Sequence, residues 1–280
     1  MKYVSDIMTS APIVVEVPGS RNDAINKMVK NGLTGLPVVK AADGTLVGIV
    51  SRRDVFNKFN EDQLSLIMKK DIKTINPDST IEEAAEIFSR YRIHRLPVVE
   101  KGKLVGIITP TDLLDVVVKK KSTVTTEDVT TTTCVTAYED APLSYVVHAM
   151  RISNVPAMPV INAAGKLTGI ITDRDLFVDQ VKDPKALNEL GIVDAYESLA
   201  GVRNVLPLFY TATERSIPED YIVRDYMVKS PVTVFKKTSV SDVAKIMKTR
   251  DFGQVPVRDA KDDLVGMVYD VDVISALCRK

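Results

Sequence analysis

The sequence predicts an α/β chain of four repeated units, each a strand, a helix, two strands and a second helix. Three observations carry that prediction. A proline-bearing apolar run, a turn and a second apolar run occur four times: LPVVKAADGTLVGIV from Leu36, LPVVEKGKLVGII from Leu96, MPVINAAGKLTGII from Met158 and VPVRDAKDDLVGMV from Val255. An acid follows the glycine of each second run by six residues, at Asp54, Asp112, Asp175 and Asp272 after Gly48, Gly106, Gly169 and Gly266. The distance from Pro37, Pro97, Pro159 and Pro256 to those acids varies by one residue either way. Fixed spacing inside elements, with slack confined to a turn, marks a structural repeat.

The first unit opens with a short helix start at Ser5–Met8 and a β-branched strand, Ile13–Val17. Pro18-Gly19-Ser20 turns the chain into a helix whose apolar positions are Ala24, Ile25, Met28 and Val29, ended by Asn31-Gly32. Asp43-Gly44 joins the strands Leu36–Val39 and Leu46–Val50 as a hairpin, and Asp54 opens a helix with Val55, Phe56 and Phe59. The second unit repeats the order. It has a lead-in at Leu64, Ile67 and Met68, a strand from Asp71 to Ile75, and a helix capped by Ser79 or Thr80 with Glu82 and Glu83 at its positive end. Strands Leu96–Val99 and Leu104–Thr109 and a helix from Asp112 complete it, and Lys119–Lys121 reads as a solvated helix end at the junction of the two halves.

The third unit opens on the β-favouring Thr130–Thr133, and its helix carries His148 beside Val146, Val147 and Met150, a setting that reads as partly buried packing. Residues 181–220 have no counterpart after the first unit and are read as an insert, with a short helix near Asp194–Leu199 and an extended piece near Val205–Thr211. The fourth unit has its strand at Val232–Phe235, its helix at about Val240–Thr249, and ends on Asp272–Leu277. The boundaries are therefore 1–60, 61–121, 122–180 and 221–280, with the insert between the last two.

Composition narrows the function. Acids and bases number 37 each, so charge gives no reason to expect nucleic acid or an anionic membrane surface as partner. Cys134 and Cys278 cannot form a disulfide framework or a Cys-x-x-Cys metal pattern, which fits a reducing cytoplasm. Neither a signal-peptide core nor an apolar run long enough to span a bilayer is present, so a soluble cytoplasmic protein is expected. The dinucleotide fingerprint, the P-loop, HExxH and GxSxG are missing, and two histidines with two cysteines do not make a clustered metal site. An enzyme is not expected.

The four-copy arrangement resembles the CBS domain family over nearly the whole chain except residues 181–220. That resemblance implies two tandem pairs, or Bateman modules, formed by units 1 with 2 and 3 with 4, and commonly packed as a disc. It is similar in size and repeat number to the γ subunit of AMP-activated protein kinase and to stand-alone archaeal CBS proteins. In Arg92-Ile93-His94-Arg95-Leu96-Pro97 the His-Arg pair matches one that faces nucleotide phosphates in the γ subunit.

CBS pairs typically bind adenosine derivatives, and the motif's chemistry agrees. An aspartate at a helix start can accept two hydrogen bonds from vicinal ribose hydroxyls, and the helix amides can approach a phosphate. The same Ser/Thr-x-x-Asp pattern is also an ordinary helix cap. Four sites follow from the family arrangement, in which the Ser/Thr-x-x-Asp end of one unit meets the first strand and pre-proline segment of its partner. Ser51, Arg53 and Asp54 join Ile75, His94 and Arg95, with cations for a phosphate. Thr109 and Asp112 join Val14, Thr34 and Gly35, with no evident phosphate cation. Thr172, Arg174 and Asp175 join Thr233, Gly253 and Gln254, where Asp173 and Asp175 flank the arginine. Asp272 joins Ala157 and Met158; there Tyr269 replaces the hydroxyl residue and Asp270 adds an acid, so this site is expected to be empty. The expected ligand is AMP, ADP or ATP, with S-adenosylmethionine or methylthioadenosine as the alternative and a nucleic-acid-binding or scaffolding role as the second alternative. A regulated protein partner is implied, and a homodimer is left open.

Overall fold

A computed structural model describes residues 3–58, 61–120, 122–130, 134–172 and 220–279. The expectations for Phe59, Lys121, Thr131–Thr133, Asp173, Arg174, Asp175 and nearly all of the insert fall outside the described residues.

Each unit is built on one antiparallel hairpin. In unit 1 these strands are β3 (Gly35–Lys40) and β4 (Leu46–Ser51), and in unit 2 β5 (Leu96–Glu100) and β6 (Lys103–Ile108). Unit 3 uses β8 (Ala157–Ile161) and β9 (Leu167–Thr172), and unit 4 β12 (Gln254–Arg258) and β13 (Leu264–Tyr269). The register is the same each time. Val38, Val98, Val160 and Val257 lie opposite Gly48, Gly106, Gly169 and Gly266, and a bulge follows immediately. A short strand pairs parallel to the first member of three hairpins: β2 (Val15–Val17), β7 (Ala137–Tyr138) and β11 (Val234–Phe235). In unit 2 the expected Asp71–Ile75 strand shrinks to a single bridge, Ile75 to Val98. The amide of Ile75 donates to Pro97 at 3.1 Å and its carbonyl accepts from Val99 at 2.9 Å.

The helices follow the apolar spacing. α1 (Arg21–Asn31) is capped by Ser20 and ends on Gly32, whose φ of 63° needs a residue without Cβ strain. Helix α2 covers Arg52–Asn57, α3 Leu64–Ile67, α4 Ile81–Tyr91 and α5 Pro110–Lys119. Beyond them lie α6 (Thr126–Val129), α7 (Leu143–Ser153), α8 (Val223–Tyr226), α9 (Val240–Arg250) and α10 (Asp270–Ile274). Thr80, not Ser79, caps α4. His148 departs from expectation: it is exposed beside the buried stripe Leu143, Val146, Val147 and Met150, with its Nδ1 3.2 Å from the Arg151 guanidinium.

Units pair by exchanging their lead-in segments. The amides of Val4 and Ser5 donate to Ser79 and Pro77 of unit 2, each at 2.9 Å, and β1 (Thr9–Ser10) adds to the edge of β6. In return Leu64 donates to Gly19, and Lys69 and Ile49 exchange two backbone bonds at 2.9 and 3.0 Å. Units 3 and 4 do the same. Thr126 donates to Thr238, Leu143 to Tyr221, and β10 (Val228–Lys229) pairs with β9.

This exchange accounts for the repeated glycine in units 1, 2 and 3. A Cβ on Gly48 would stand 2.5 Å from the Lys69 carbonyl oxygen, and one on Gly106 or Gly169 would meet Met8 or Met227 of the crossing lead-in. Gly48→Ala is therefore expected to destabilise the fold by about 1–3 kcal/mol, the usual cost of overpacking against a fixed neighbour. Chemical denaturation checks it.

Packing also joins the two pairs. Phe88, Leu113, Leu114 and Val117 of unit 2 share one buried core with Val240, Val243, Met247, Ile274 and Leu277 of unit 4. The Ser241 hydroxyl donates to the Val117 carbonyl at 3.0 Å, and Lys248 pairs with Asp115 across α9 and α5. Most buried residues of units 1 and 3 lie in two further cores, each completed by the lead-in of the paired unit, and between these units Arg53 donates to the Asn154 side chain. Among the described residues no helix is long and apolar enough to cross a membrane.

Candidate functional site

In units 1, 2 and 4 the second helix begins where the hairpin ends, so the acid six residues after the glycine falls on the first helical turn. In the three units where this turn is described, the acid closes a capping box. Asp54 Oδ2 accepts from the Ser51 amide at 2.9 Å and from its hydroxyl. Asp112 Oδ2 accepts from the Thr109 amide at 2.7 Å and hydroxyl at 2.9 Å. Asp272 Oδ2 accepts from the Tyr269 amide at 2.9 Å. Capping thus uses one oxygen of each carboxylate and leaves Oδ1 for another partner.

That other partner differs between units. Asp54 Oδ1 lies 3.5 Å from Lys69 Nζ, an exposed lysine on the exchanged lead-in of unit 2. Asp112 Oδ1 has no protein partner among the described residues. Asp272 Oδ1 meets Arg92 Nη1 of unit 2 at 2.8 Å, and the same guanidinium lies 5.5 Å from the Tyr269 ring centroid. Lys69 and Arg92 carry no signal in the repeated motif; each becomes a partner only through contacts between units.

The segment Arg92–Arg95 is divided among three destinations. Arg92 serves Asp272. His94 Nδ1 stands 3.6 Å from Asp270 Oδ1, so the imidazole faces the unit 4 helix start and not Ser51 and Asp54. Arg95 donates to the Thr34 hydroxyl, and its guanidinium packs over Gly35, where an added Cβ would fall 2.9 Å from its central carbon. Burial pulls the Arg95 guanidinium down to about 10, and the nearby Asp54 charge opposes that. Arg95 therefore lies against Thr34 and Gly35 of the second predicted site, within the field of the Asp54 charge, and supplies the cation that the second site lacked in the sequence.

The remaining predicted residues are placed as follows. The Arg53 guanidinium is lowered by burial and directed at Asn154 of unit 3. Ile75 is buried beneath the unit 2 hairpin, and the Val14 carbonyl accepts from Lys27 Nζ at 2.8 Å. Thr172 lies opposite Ala157 across the unit 3 hairpin, and Gln254 opposite Tyr269. The Gly253 carbonyl accepts from the Asp270 amide at 2.9 Å, and Thr233 precedes β11. Ala157 and Met158 are buried core residues. Arg174 and Asp175 lie outside the described residues, so the third set is placed only in part.

Paired units joined by exchanged lead-ins, three of them with an acid-capped second helix among the described residues, define a protein of the tandem-repeat α/β class. A family profile described as the CBS domain matches residues 4–61, 64–119, 127–179 and 223–279, and the chain belongs to the CBS domain family. It is similar to protein MJ1225 of Methanocaldococcus jannaschii, 26% identical over 191 residues that cover 62% of this chain and 68% of that protein. The crystal structure of MJ1225, described as a candidate archaeal homologue of γ-AMPK, superposes with a TM-score of 0.73 at 22% identity, covering 98% of this chain and 99% of that one. An uncharacterized conserved protein from Pyrococcus horikoshii superposes with a TM-score of 0.70 at 24% identity, covering 99% and 100%. These two superpositions establish the shared fold. Another relative, the A-adding tRNA nucleotidyltransferase of Aquifex aeolicus, is 33% identical over 117 residues, which are 41% of this chain and only 14% of that protein.

Proposed function

We propose that this chain is a non-catalytic regulatory protein that binds an adenine nucleotide, AMP, ADP or ATP, in the clefts between units 1 and 2. The observation that supports this most is the position of Arg95, a cation against Thr34 and Gly35 and within the field of the Asp54 charge. A guanidinium held partly out of water suits a phosphate, while a spare aspartate oxygen suits a ribose. Ligand occupancy then shifts the arrangement of the units by its differential affinity for two arrangements, and the protein that reads this shift is the regulated partner.

A second reading keeps the site and changes the ligand. Near Asp112 a cleft of about 300 Å³ is lined by Asp6, Ile7, Asp112, Asp115, Val116 and Lys119. With Asp115 paired to Lys248, two further carboxylates against one ammonium still favour a cationic adenosyl group, such as the sulfonium of S-adenosylmethionine.

Titration calorimetry of ligand-stripped protein against AMP, ATP and S-adenosylmethionine in parallel separates the two. Preferential binding of AMP or ATP supports the first, preferential binding of S-adenosylmethionine the second, and no binding by any of them removes both. Arg95→Met sharpens the test. Exchanging a partly buried cation for an apolar chain of similar length leaves the unliganded fold within about 1 kcal/mol of the parent. AMP affinity is expected to fall tenfold or more. A loss of several kcal/mol in denaturation would make Arg95 a residue of the fold instead.

A further inference from the structure

The helix start of unit 4 differs from the others in what covers it. Asp272 is 3% exposed and Asp270 8%. Both acids are met by unit 2, Asp272 by Arg92 and Asp270 by His94. The Ser89 hydroxyl donates to the Val271 carbonyl at 3.0 Å, so residues 89–94 cover the first turn of α10 from the other pair of units.

Arg92 occupies a position that selects against arginine. The residue ending the first helix of each unit is left-handed: Gly32 at φ 63°, Arg92 at 48°, Asn154 at 56° and Asp251 at 54°. Glycine, asparagine and aspartate tolerate this conformation, and arginine pays for it in backbone strain. The compensation is an ion pair to a buried carboxylate and a cation–π contact to Tyr269. At the matching contact between units 1 and 3, the neutral Asn154 meets Arg53 and leaves Asp54 to its own pair.

We propose that Arg92 is the built-in occupant of the unit 4 site. Its guanidinium takes the Asp272 oxygen that a ribose would need, so unit 4 clasps the two pairs together and Arg92 determines which clefts accept ligand. The ligand half of this statement rests on the binding reading above; the clasp half does not.

The test is a thermal unfolding cycle on the full chain with Arg92→Gly and Asp272→Asn. Glycine at a left-handed position ordinarily stabilises, so a fall in Tm on Arg92→Gly reads the clasp directly. The expected fall is about 3–8 °C, and Asp272→Asn in that background recovers part of it by neutralising a carboxylate left buried without its cation. A rise in Tm on Arg92→Gly, or the same Asp272→Asn shift in both backgrounds, overturns the clasp. Calorimetry with AMP and S-adenosylmethionine then compares the parent with Arg92→Gly. About one additional ligand bound per chain supports the occupant role, and unchanged stoichiometry overturns it. If neither protein binds either probe, the binding reading fails together with the occupant role, and the cycle alone decides the clasp.

Discussion

Phe88→Ala is expected to cost about 3–5 kcal/mol in denaturant unfolding, the range for removing a fully buried aromatic ring. Phe88 has no exposed surface and belongs to the core that units 2 and 4 hold in common. It sits on α4, which also meets α10 and the 3-10 turn Ser275–Leu277 at the end of unit 4. The cavity would therefore open at the junction of the two pairs as well as inside unit 2. The equivalent large-to-small change in unit 1, Met28→Ala, removes a residue from a core that stays within the first pair. Both variants lose stability, but Phe88→Ala is expected to loosen the contact between pairs in addition, read as faster hydrogen exchange at the α5 and α9 amides. Unaltered exchange there would show that the common core does not couple the pairs.

Asp54→Ala is expected to weaken AMP binding by about 10–100-fold, the range for removing a charged acceptor of ligand hydrogen bonds. The substitution also removes a cap, at about 0.5–2 kcal/mol of stability. Asp242→Ala separates the two effects. Asp242 makes the same kind of cap on α9, accepting from the Ser239 hydroxyl at 2.7 Å, but it lies at an exposed helix start away from the proposed clefts. It should lose comparable stability and keep its affinity for AMP. Equal affinities of Asp54→Ala and the parent would remove the first cleft from the account.

Much of the fold is legible in the sequence because its determinants are local. The proline and the glycine set the hairpin and the bulge in every unit, and the acid six residues on caps the helix in units 1, 2 and 4. The spacing of Ala24, Ile25, Met28 and Val29 gives α1 and its buried face. His148 was open to the same reasoning, since it falls off the stripe of Val146, Val147 and Met150.

What escapes the sequence is set by contacts distant along the chain. The repeated glycine is visible, but its reason in units 1, 2 and 3 is the carbonyl of Lys69 or the side chain of Met8 or Met227, each arriving from the paired unit. The strand expected at Asp71–Ile75 has β-favouring residues, yet pairing holds only at Ile75. Propensity does not supply a partner edge. In the site, the aspartates and their caps were readable from spacing. The destinations of Arg92, His94 and Arg95 were not, because three neighbouring side chains diverge to Asp272, Asp270 and Thr34.

The most direct test is a crystal structure of the full chain grown with saturating AMP. The account predicts ribose hydroxyls on Oδ1 of Asp54 or Asp112, with Arg95 turned to the phosphate, and Arg92 still on Asp272. Nucleotide seated on Asp272, or both aspartates of the first pair left without ribose, would contradict it.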